Sequence, residues 1–342
     1  MNARYPALRL MTLIVLHASA VQAAEEVEIK FAHPVPSGTL WDKALEEMGA
    51  EWLQSSQGQV RIKIYPRGVA GPDDTVIRKL QLGQLHAASL SYVGLTRLDD
   101  AFEVFTIPLF FDSYEEFFYV IDKMEPVLKQ RLDAKGLVLL SWGLGGWTYL
   151  FSRSPIEELE DLKRMDLFTA AGDAKMVQIY KRNGYSPVAL DTTDIPSGLQ
   201  TGMFDALPTT PLLALAFQFY RSTKNMNDFG LAPVIGATVI TKSAWKRIPE
   251  QHRAAILESA KRAETRLREE IPGQEKAAVE QMKRRGLKVT SSRDLENWRR
   301  EADRFCESLR GTVVPTEIFD QALAERNAYR RGLGTVKMVA DR

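Results

Sequence analysis

Apolar and polar positions alternate from Val27 to Ala32 and again through VRIKIYP (60–66), and each run predicts a strand. Between them lies a loop, His33 to Gly38. After it Leu40, Trp41, Ala44, Leu45, Met48 and Trp52 recur at helical spacing, the apolar face of one helix. Asp73 and Asp74 are placed to open a second helix through Ile77 and Leu80, closed by Gly83. LHAASLSYVG (85–94) reads as a buried strand running into a turn.

The pattern continues in the same sense. IPLFF (107–111) precedes a helix rich in Tyr, Glu and Phe, and GLVLLSWGLGGW (136–147) reads as a buried strand ending in glycines. Met165 to Thr169 forms a short strand that runs through small residues into a helix near Asp173, and SPVAL (186–190) is another strand. Thr193 and Asp194 open a helix that Gly202 stops, FDALPTTP (204–211) leads into an aromatic helix, and VIGATVIT (234–241) is a further strand. Strands alternating with helices predict an α/β chain with a largely parallel sheet covered on both faces. From Pro249 to Arg285 the chain is charged and helical. Pro272-Gly273 interrupts it, so two helices are expected, with one long bent helix as the alternative.

At 342 residues the chain exceeds the usual size of a single core, which predicts two domains. The formal charge is +1 with Lys and Arg dispersed, so there is no basic face for nucleic acid. The first residues differ from the rest. Arg4 and Arg9 precede the apolar run LMTLIVL (10–16), and Val21-Gln22-Ala23 places small residues for cleavage after Ala23. This reads as a secretory signal over residues 1–23, too short to span a bilayer. The one cysteine, Cys306, follows Leu295, Trp298, Ala302 and Phe305 at helical spacing, which predicts packing on a helix. An exported chain that cannot form an internal disulfide suits a bacterial periplasm.

Candidate chemistry is sparse. Beyond Ala23 the histidines are His33, His86 and His252, without H-E-x-x-H or a Cys/His pair, so a metal site lacks ligands. There is no G-x-S-x-G and no phosphate-binding loop. Gly143, Gly145 and Gly146 suggest part of a dinucleotide loop, but Thr148 occupies the last glycine position and a tight turn is the simpler account. His86 lies in an apolar strand and reads as a core residue, whereas His33, beyond a strand end, is a candidate ligand contact. For a hydrolase or isomerase only Asp173 and His33 offer acid–base groups. The aromatic residues Trp41, Tyr92, Phe110, Trp147, Tyr149, Phe168 and Phe204 each fall near a predicted strand end. Core packing accounts for any one of them, but together they stand where α/β folds place ligands.

Several segments carry a family resemblance. IYPRGVAGPDDTVIRKLQLGQLHAA (64–88), FEVFTIPLFFDSYEE (102–116), GLVLLSWG (136–143), SPIEELEDLK (154–163), SPVALDTTDIPSGLQTGMFDA (186–206) and KSAWKRIPEQHR (242–253) follow one another in order. Together they resemble the solute-binding proteins of tripartite ATP-independent periplasmic (TRAP) transporters. The resemblance implies an α/β, two-lobe periplasmic binding protein fold with a central cleft and a long interlobe helix. Lobe I would comprise 24–146 with 235–275, and lobe II 147–234 with 276–342. It implies binding by lobe closure, without reaction, cofactor or metal, and delivery to a permease of small and large membrane subunits.

Members of that family carry an arginine after D-L-K-G-L-K that forks onto a ligand carboxylate. This chain reads D-L-K-R-M-D-L-F and places Phe168 there. A second basic position of the family corresponds to Thr148, an acidic or polar one to Ser91, followed by Tyr92, and an asparagine to Thr209 or Thr210. A buried carboxylate without a partner is unfavourable by several kcal/mol, so the expected ligand is uncharged, aromatic or otherwise hydrophobic. Phe168, Trp147 and Tyr92 would wall it, with Thr148, Thr209 and Thr210 as polar handles and Ser91, Trp41, His33 and Tyr149 around them. The chain is similar to a branch of the family that lacks the arginine, in which a periplasmic helical-repeat protein is an additional partner. The alternatives are an organic-acid binder that uses Arg67, Arg97 or a helix N-terminus, and a ligand sensor that docks to a receptor.

Overall fold

The computed structural model describes residues 26–171 and 174–340, without the side chains of Ala174 and 333–340. The expected signal segment and Asp173 lie outside the described residues. The chain opens as β1 (Val27–Ala32), α1 (Leu40–Ser55), β2 (Val60–Tyr65), α2 (Asp73–Gln81), β3 (Ala87–Leu90) and α3 (Tyr92–Leu98). A 3₁₀ stretch, Asp100–Thr106, and α4 (Tyr114–Ala134) lead to the long strand β4 (Leu137–Trp147). Next come β5 (Tyr149–Ser152), α5 (Leu159–Lys163), β6 (Asp166–Ala170), α6 (Ala174–Arg182), β7 (Ser186–Leu190) and α7 (Ile195–Thr201). They are followed by β8 (Ala206–Thr209), α8 (Pro211–Ala216) and β9 (Asn225–Asn227). The chain ends with β10 (Pro233–Thr241), α9 (Lys242–Arg247), α10 (Glu250–Lys283), β11 (Lys288–Thr290), α11 (Leu295–Leu309) and α12 (Thr316–Ala340).

These strands form a five-stranded sheet, β2-β1-β3-β10-β4, and a six-stranded sheet, β11-β9-β5-β8-β6-β7. Neither is purely parallel. In the first, β1 runs parallel to β2 and β3, while β10 is antiparallel to both β3 and β4. In the second, β6 runs parallel to β7 and β8, while β5 is antiparallel to β8 and β9. The chain passes between the sheets after β4, after β9 and again along α10 to β11; β5 and β10 enter antiparallel to their neighbours, whereas β11 runs parallel to β9. The first two crossings are tied together: Thr148 N–H and its Oγ1 donate to Ala232 O at 2.8 and 2.7 Å, and Leu231 N–H donates to Thr148 O at 2.7 Å.

The segment with Pro272 corrects the expectation of two helices. α10 is continuous over 34 residues, about 51 Å at 1.5 Å per residue. A proline inside a helix forfeits one hydrogen bond and crowds the preceding turn. Here that loss is outweighed by a buried stripe, Ala260, Glu264, Leu267, Ile271, Glu275, Ala278 and Met282, which holds the helix on both sides of Pro272. Two shorter differences occur near β3. The strand is only four residues long, and Tyr92 already begins α3.

Phe305, Leu309, Ile318 and Phe319 join the same core as Phe110, Phe111 and Phe117. Phe110 and Phe319 lie 6.1 Å apart, ring to ring, and Arg330 pairs with Glu116 of α4. α12 therefore packs beside α4, whereas α11 bridges the two cores: its Trp298 packs with Leu150, Leu167 and Ala206 of the second sheet, and its Glu301 pairs with Lys163 at 3.0 Å. Cys306 is buried in the core it shares with Phe110, as its helical spacing predicts.

Candidate functional site

The ends of β4, β5 and β8 meet where the sheets are joined. Tyr149 stands opposite Thr209 in the β5–β8 ladder. Thr210 follows as the N-cap of α8; it is fully buried and its Oγ1 accepts from Leu213 N–H at 3.4 Å. Gly146 brings β4 against the same cap, since a Cβ there would lie 3.4 Å from the Cβ of Thr210. Trp147, Thr148, Tyr149, Thr209 and Thr210 are thus one cluster at the crossing.

Trp147 is 6% exposed and stands edge-on to Tyr114 at 5.0 Å. Its backbone N–H donates to Glu275 Oε1 at 2.6 Å, while its indole N–H has no partner. The Tyr114 hydroxyl donates to Glu275 Oε2. Burial pushes the Glu275 carboxyl up to about 7, a rise that its hydrogen bonds from Tyr114 and Trp147 only partly offset. Burial, with the nearby Glu275 charge, likewise pushes the Tyr114 and Tyr149 hydroxyls upward.

Phe168 is 7% exposed and packs on Phe204 at 5.3 Å between centroids. It belongs to the core of the second sheet, with Phe151, Leu199 and Leu207. Tyr149 packs against this core and against that of the first sheet, so it joins Phe168 to the crossing cluster. Thr148, expected as a polar handle, spends its hydroxyl on Ala232 O.

On the first sheet, His33 follows β1 and is 2% exposed. Its Nε2 lies 3.5 Å from Asp42 Oδ1, and the ring also faces the Val35 backbone. Burial holds its pKa below the usual value despite Asp42, so the ring is neutral near pH 7. His86, read as a core residue, is partly buried and engaged through its ring: Nδ1 accepts from Lys30 N–H at 3.1 Å. Ser91 Oγ donates to Asp73 Oδ2 at 2.6 Å, which places a carboxylate beside the N-terminus of α3. That arrangement also departs from the sequence reading, in which Asp73 opens α2 as a cap. Tyr92 is half-buried against the first core.

Trp41 reaches the crossing from α1. Its indole N–H donates to Leu144 O at 2.7 Å, and the ring lines a cavity of about 250 Å³ between α1, α8 and α10. Thr39, Lys43, Leu212, Leu213, Arg266 and Gln274 complete most of that wall. Of the rescue cations considered from sequence, Arg97 pairs with Asp74 at 3.6 Å, and Arg67 is exposed in a left-handed turn at φ +55°. Among the described residues no cluster of His, Cys, Asp or Glu could hold a metal, and no helix is long and apolar enough to cross a membrane.

Sequence reasoning missed Glu275, Tyr114, Asp73 and Asp42. For Glu275 a signal existed: it falls on the stripe that carries Ile271, Ala278 and Met282, where a carboxylate needs an explanation.

The comparisons with known proteins agree with this architecture. Residues 31–310 match the DctP model, described as bacterial extracellular solute-binding protein, family 7. The chain belongs to this family. The C4-dicarboxylate-binding periplasmic protein DctP of Rhodobacter capsulatus is 26% identical over 251 residues, 72% of this chain and 74% of that one. A stretch of 202 residues, 58% of the chain, is 26% identical to an uncharacterized protein of Salmonella typhimurium and spans 61% of that protein's length. Two solved structures share the fold. A TRAP periplasmic solute-binding protein from Haemophilus influenzae with bound L-gulonate is 17% identical and has a TM-score of 0.79 over 89% of this chain and 99% of that one. One from Ochrobactrum anthropi, with its C-terminus bound in the ligand-binding pocket, is 25% identical, with a TM-score of 0.79 over 90% and 97%. The family consists of receptors that bind small molecules for transport and work with TRAP membrane permeases. This function is binding, with no reaction to catalyse.

Proposed function

We propose that this receptor captures an uncharged, partly apolar small molecule at the junction of its two sheets. The observation that carries the reading is Phe168: the position of the carboxylate-binding arginine is filled by a phenyl ring packed on Phe204. The second basic position is Thr148, with its hydroxyl already engaged. Two buried polar atoms left unpartnered on these same elements, Trp147 Nε1 and Thr169 Oγ1, belong to neutral groups. Such groups suit hydroxyl or carbonyl ligand atoms better than a carboxylate. The ligands named for the solved neighbours are acids, so the support for an uncharged ligand comes from this chain's own residues.

One observation favours a second reading. Lys43 lines the 250 Å³ cavity beside Trp41, together with Arg266, which already pairs with Glu47 and Glu270. That wall would suit an organic acid held by a cation other than the family arginine.

We further propose that the two sheets are the cores of two lobes that close about the Thr148–Ala232 crossing. The sequence division, 24–146 with 235–275 and 147–234 with 276–342, is kept except that α12 goes with the first lobe, while α11 bridges both through Phe305 on one side and Trp298 on the other. Removal of residues 1–23 would leave a periplasmic chain serving the small and large subunits of a TRAP permease. A helical-repeat protein would be an accessory partner.

Thermal unfolding of the chain from Ala24 onward, against neutral aromatic and apolar compounds and against short organic acids, tests the ligand class. A ligand at ~100 times its Kd adds about 2.7 kcal/mol. Stabilisation by neutral compounds alone, lost in Phe168→Arg, supports the first reading. Stabilisation by acids, lost in Lys43→Ala, supports the second.

A further inference from the structure

β4 is the edge strand of the first sheet, so part of its backbone faces away from any neighbouring strand. α10 meets that edge with two carboxylates. Glu264 Oε2 accepts from Trp142 N–H at 3.0 Å, and Glu275 Oε1 accepts from Trp147 N–H at 2.6 Å. The spacings correspond: eleven helical residues rise about 16.5 Å, and five strand residues advance about 16.5 Å. Both side chains lie on the buried stripe of α10, 3% and 6% exposed.

The two ties differ in what surrounds them. Glu264 lies 2.7 Å from Lys261 Nζ and 2.7 Å from Arg268, so its charge is balanced. Among the described residues Glu275 has no cation within salt-bridge distance. The titratable groups facing it are Tyr114 from α4 and Tyr149 from β5; β4 offers only backbone. Gly146 leaves the space it occupies, because a Cβ there would fall 2.5 Å from Glu275 Oε1. Trp147 is the last residue of β4 before Thr148, where the chain crosses to the second sheet.

We propose that Glu264 is the permanent tie between α10 and β4 and that Glu275 is the releasable one, a positioning residue through which proton binding biases the crossing between packed and opened arrangements. The reasoning is one of linkage. An anion buried with hydrogen bonds alone gains from contact with water, so ionised Glu275 favours an arrangement that admits water, and the protonated form favours the packed one. The functional consequence, a pH-dependent bias on lobe closure, rests on the two-lobe reading above.

The test is hydrogen–deuterium exchange of the chain from Ala24 onward between pH 5.5 and 8.5, corrected for intrinsic exchange rates. It compares peptides covering Trp147 with peptides covering Trp142. In the wild type, protection at Trp147 should fall about tenfold or more across this range while Trp142 changes little. Glu275→Gln should flatten the response at Trp147, and Glu264→Gln should leave it. Tyr114→Phe removes a hydrogen bond to the carboxylate and should move the response to higher pH; it serves if Glu275→Gln does not fold. A flat wild-type profile, or a response that survives in Glu275→Gln, overturns the proposal. Spin labels at Gln57→Cys and Thr201→Cys, measured against the neutral and acidic compound panels, judge lobe motion separately. An unchanging distance there defeats the closure reading without altering the exchange result.

Discussion

Trp147 lies directly against Gly230: a Cβ on Gly230 would fall 2.1 Å from Cδ1 of the indole. The two residues belong to the outgoing and returning passages between the sheets. The ring can be buried there because the other passage carries no side chain at that point. Gly230→Ala forces Trp147 to move, and overpacking of this kind costs about 1–3 kcal/mol. Denaturant unfolding should show that loss, together with a changed tryptophan emission, while a Gly58→Ala control (φ +86° but in open space) should leave the emission unchanged.

Phe168 and Phe204 anchor the core of the second sheet. Phe168→Ala should destabilise the chain by about 3–5 kcal/mol, through lost burial and the cavity left behind. Phe168→Leu should cost much less. If both variants unfold at the wild-type denaturant midpoint, the packing account of this position is wrong.

Glu275 makes stability depend on pH with a definite sign. Its folded-state pKa of about 7 lies above the ordinary carboxylate value, so the native state binds the proton more tightly than the unfolded chain. The stabilisation is fully present below about pH 4.5 and is lost as pH rises through 7, a change of about 3 kcal/mol. Urea midpoints of wild type minus Glu275→Gln should therefore fall from pH 4.5 to 8. An upward slope would contradict the burial seen here.

His33 has the opposite sign. Its pKa is depressed by burial, so its contribution is present above pH 6.5 and declines as pH falls and the unfolded chain takes up the proton. In His33→Asn that decline should disappear, which a melting series from pH 7.5 to 5 would register after subtraction of the Glu275 effect.

Burial pushes the Cys306 thiol up to about 12, so little thiolate exists at pH 8. Native protein should react with a disulfide reagent far more slowly than the same chain in denaturant. Comparable rates would place the thiol at the surface.

Much of this molecule is legible along the chain. Period-two alternation marks Val27–Ala32 and Val60–Tyr65, and SPVAL is a strand over the residues read for it. Gly202 ends α7 in the left-handed conformation expected of a terminal glycine. These signals are local, since each depends on a few neighbouring side chains and on the backbone freedom of one residue. The family, too, is carried by ordered segments of sequence, and residues 31–310 match its model.

What tertiary structure alone decided is non-local. No periodicity states that β5 and β10 enter their sheets antiparallel, because strand direction is set by pairing with partners far along the chain. Pro272 argues locally for a break in α10, but burial of the stripe on both sides of it outweighs one lost hydrogen bond. Glu275 reads as one more charge on a charged helix, until folding sets it under the edge of β4 with a tyrosine and a backbone N–H for company. Local preferences determine which segments are strands and helices. The burial of each residue, and so the protonation and hydrogen bonding of a carboxylate such as Glu275, depends on side chains more than a hundred positions away.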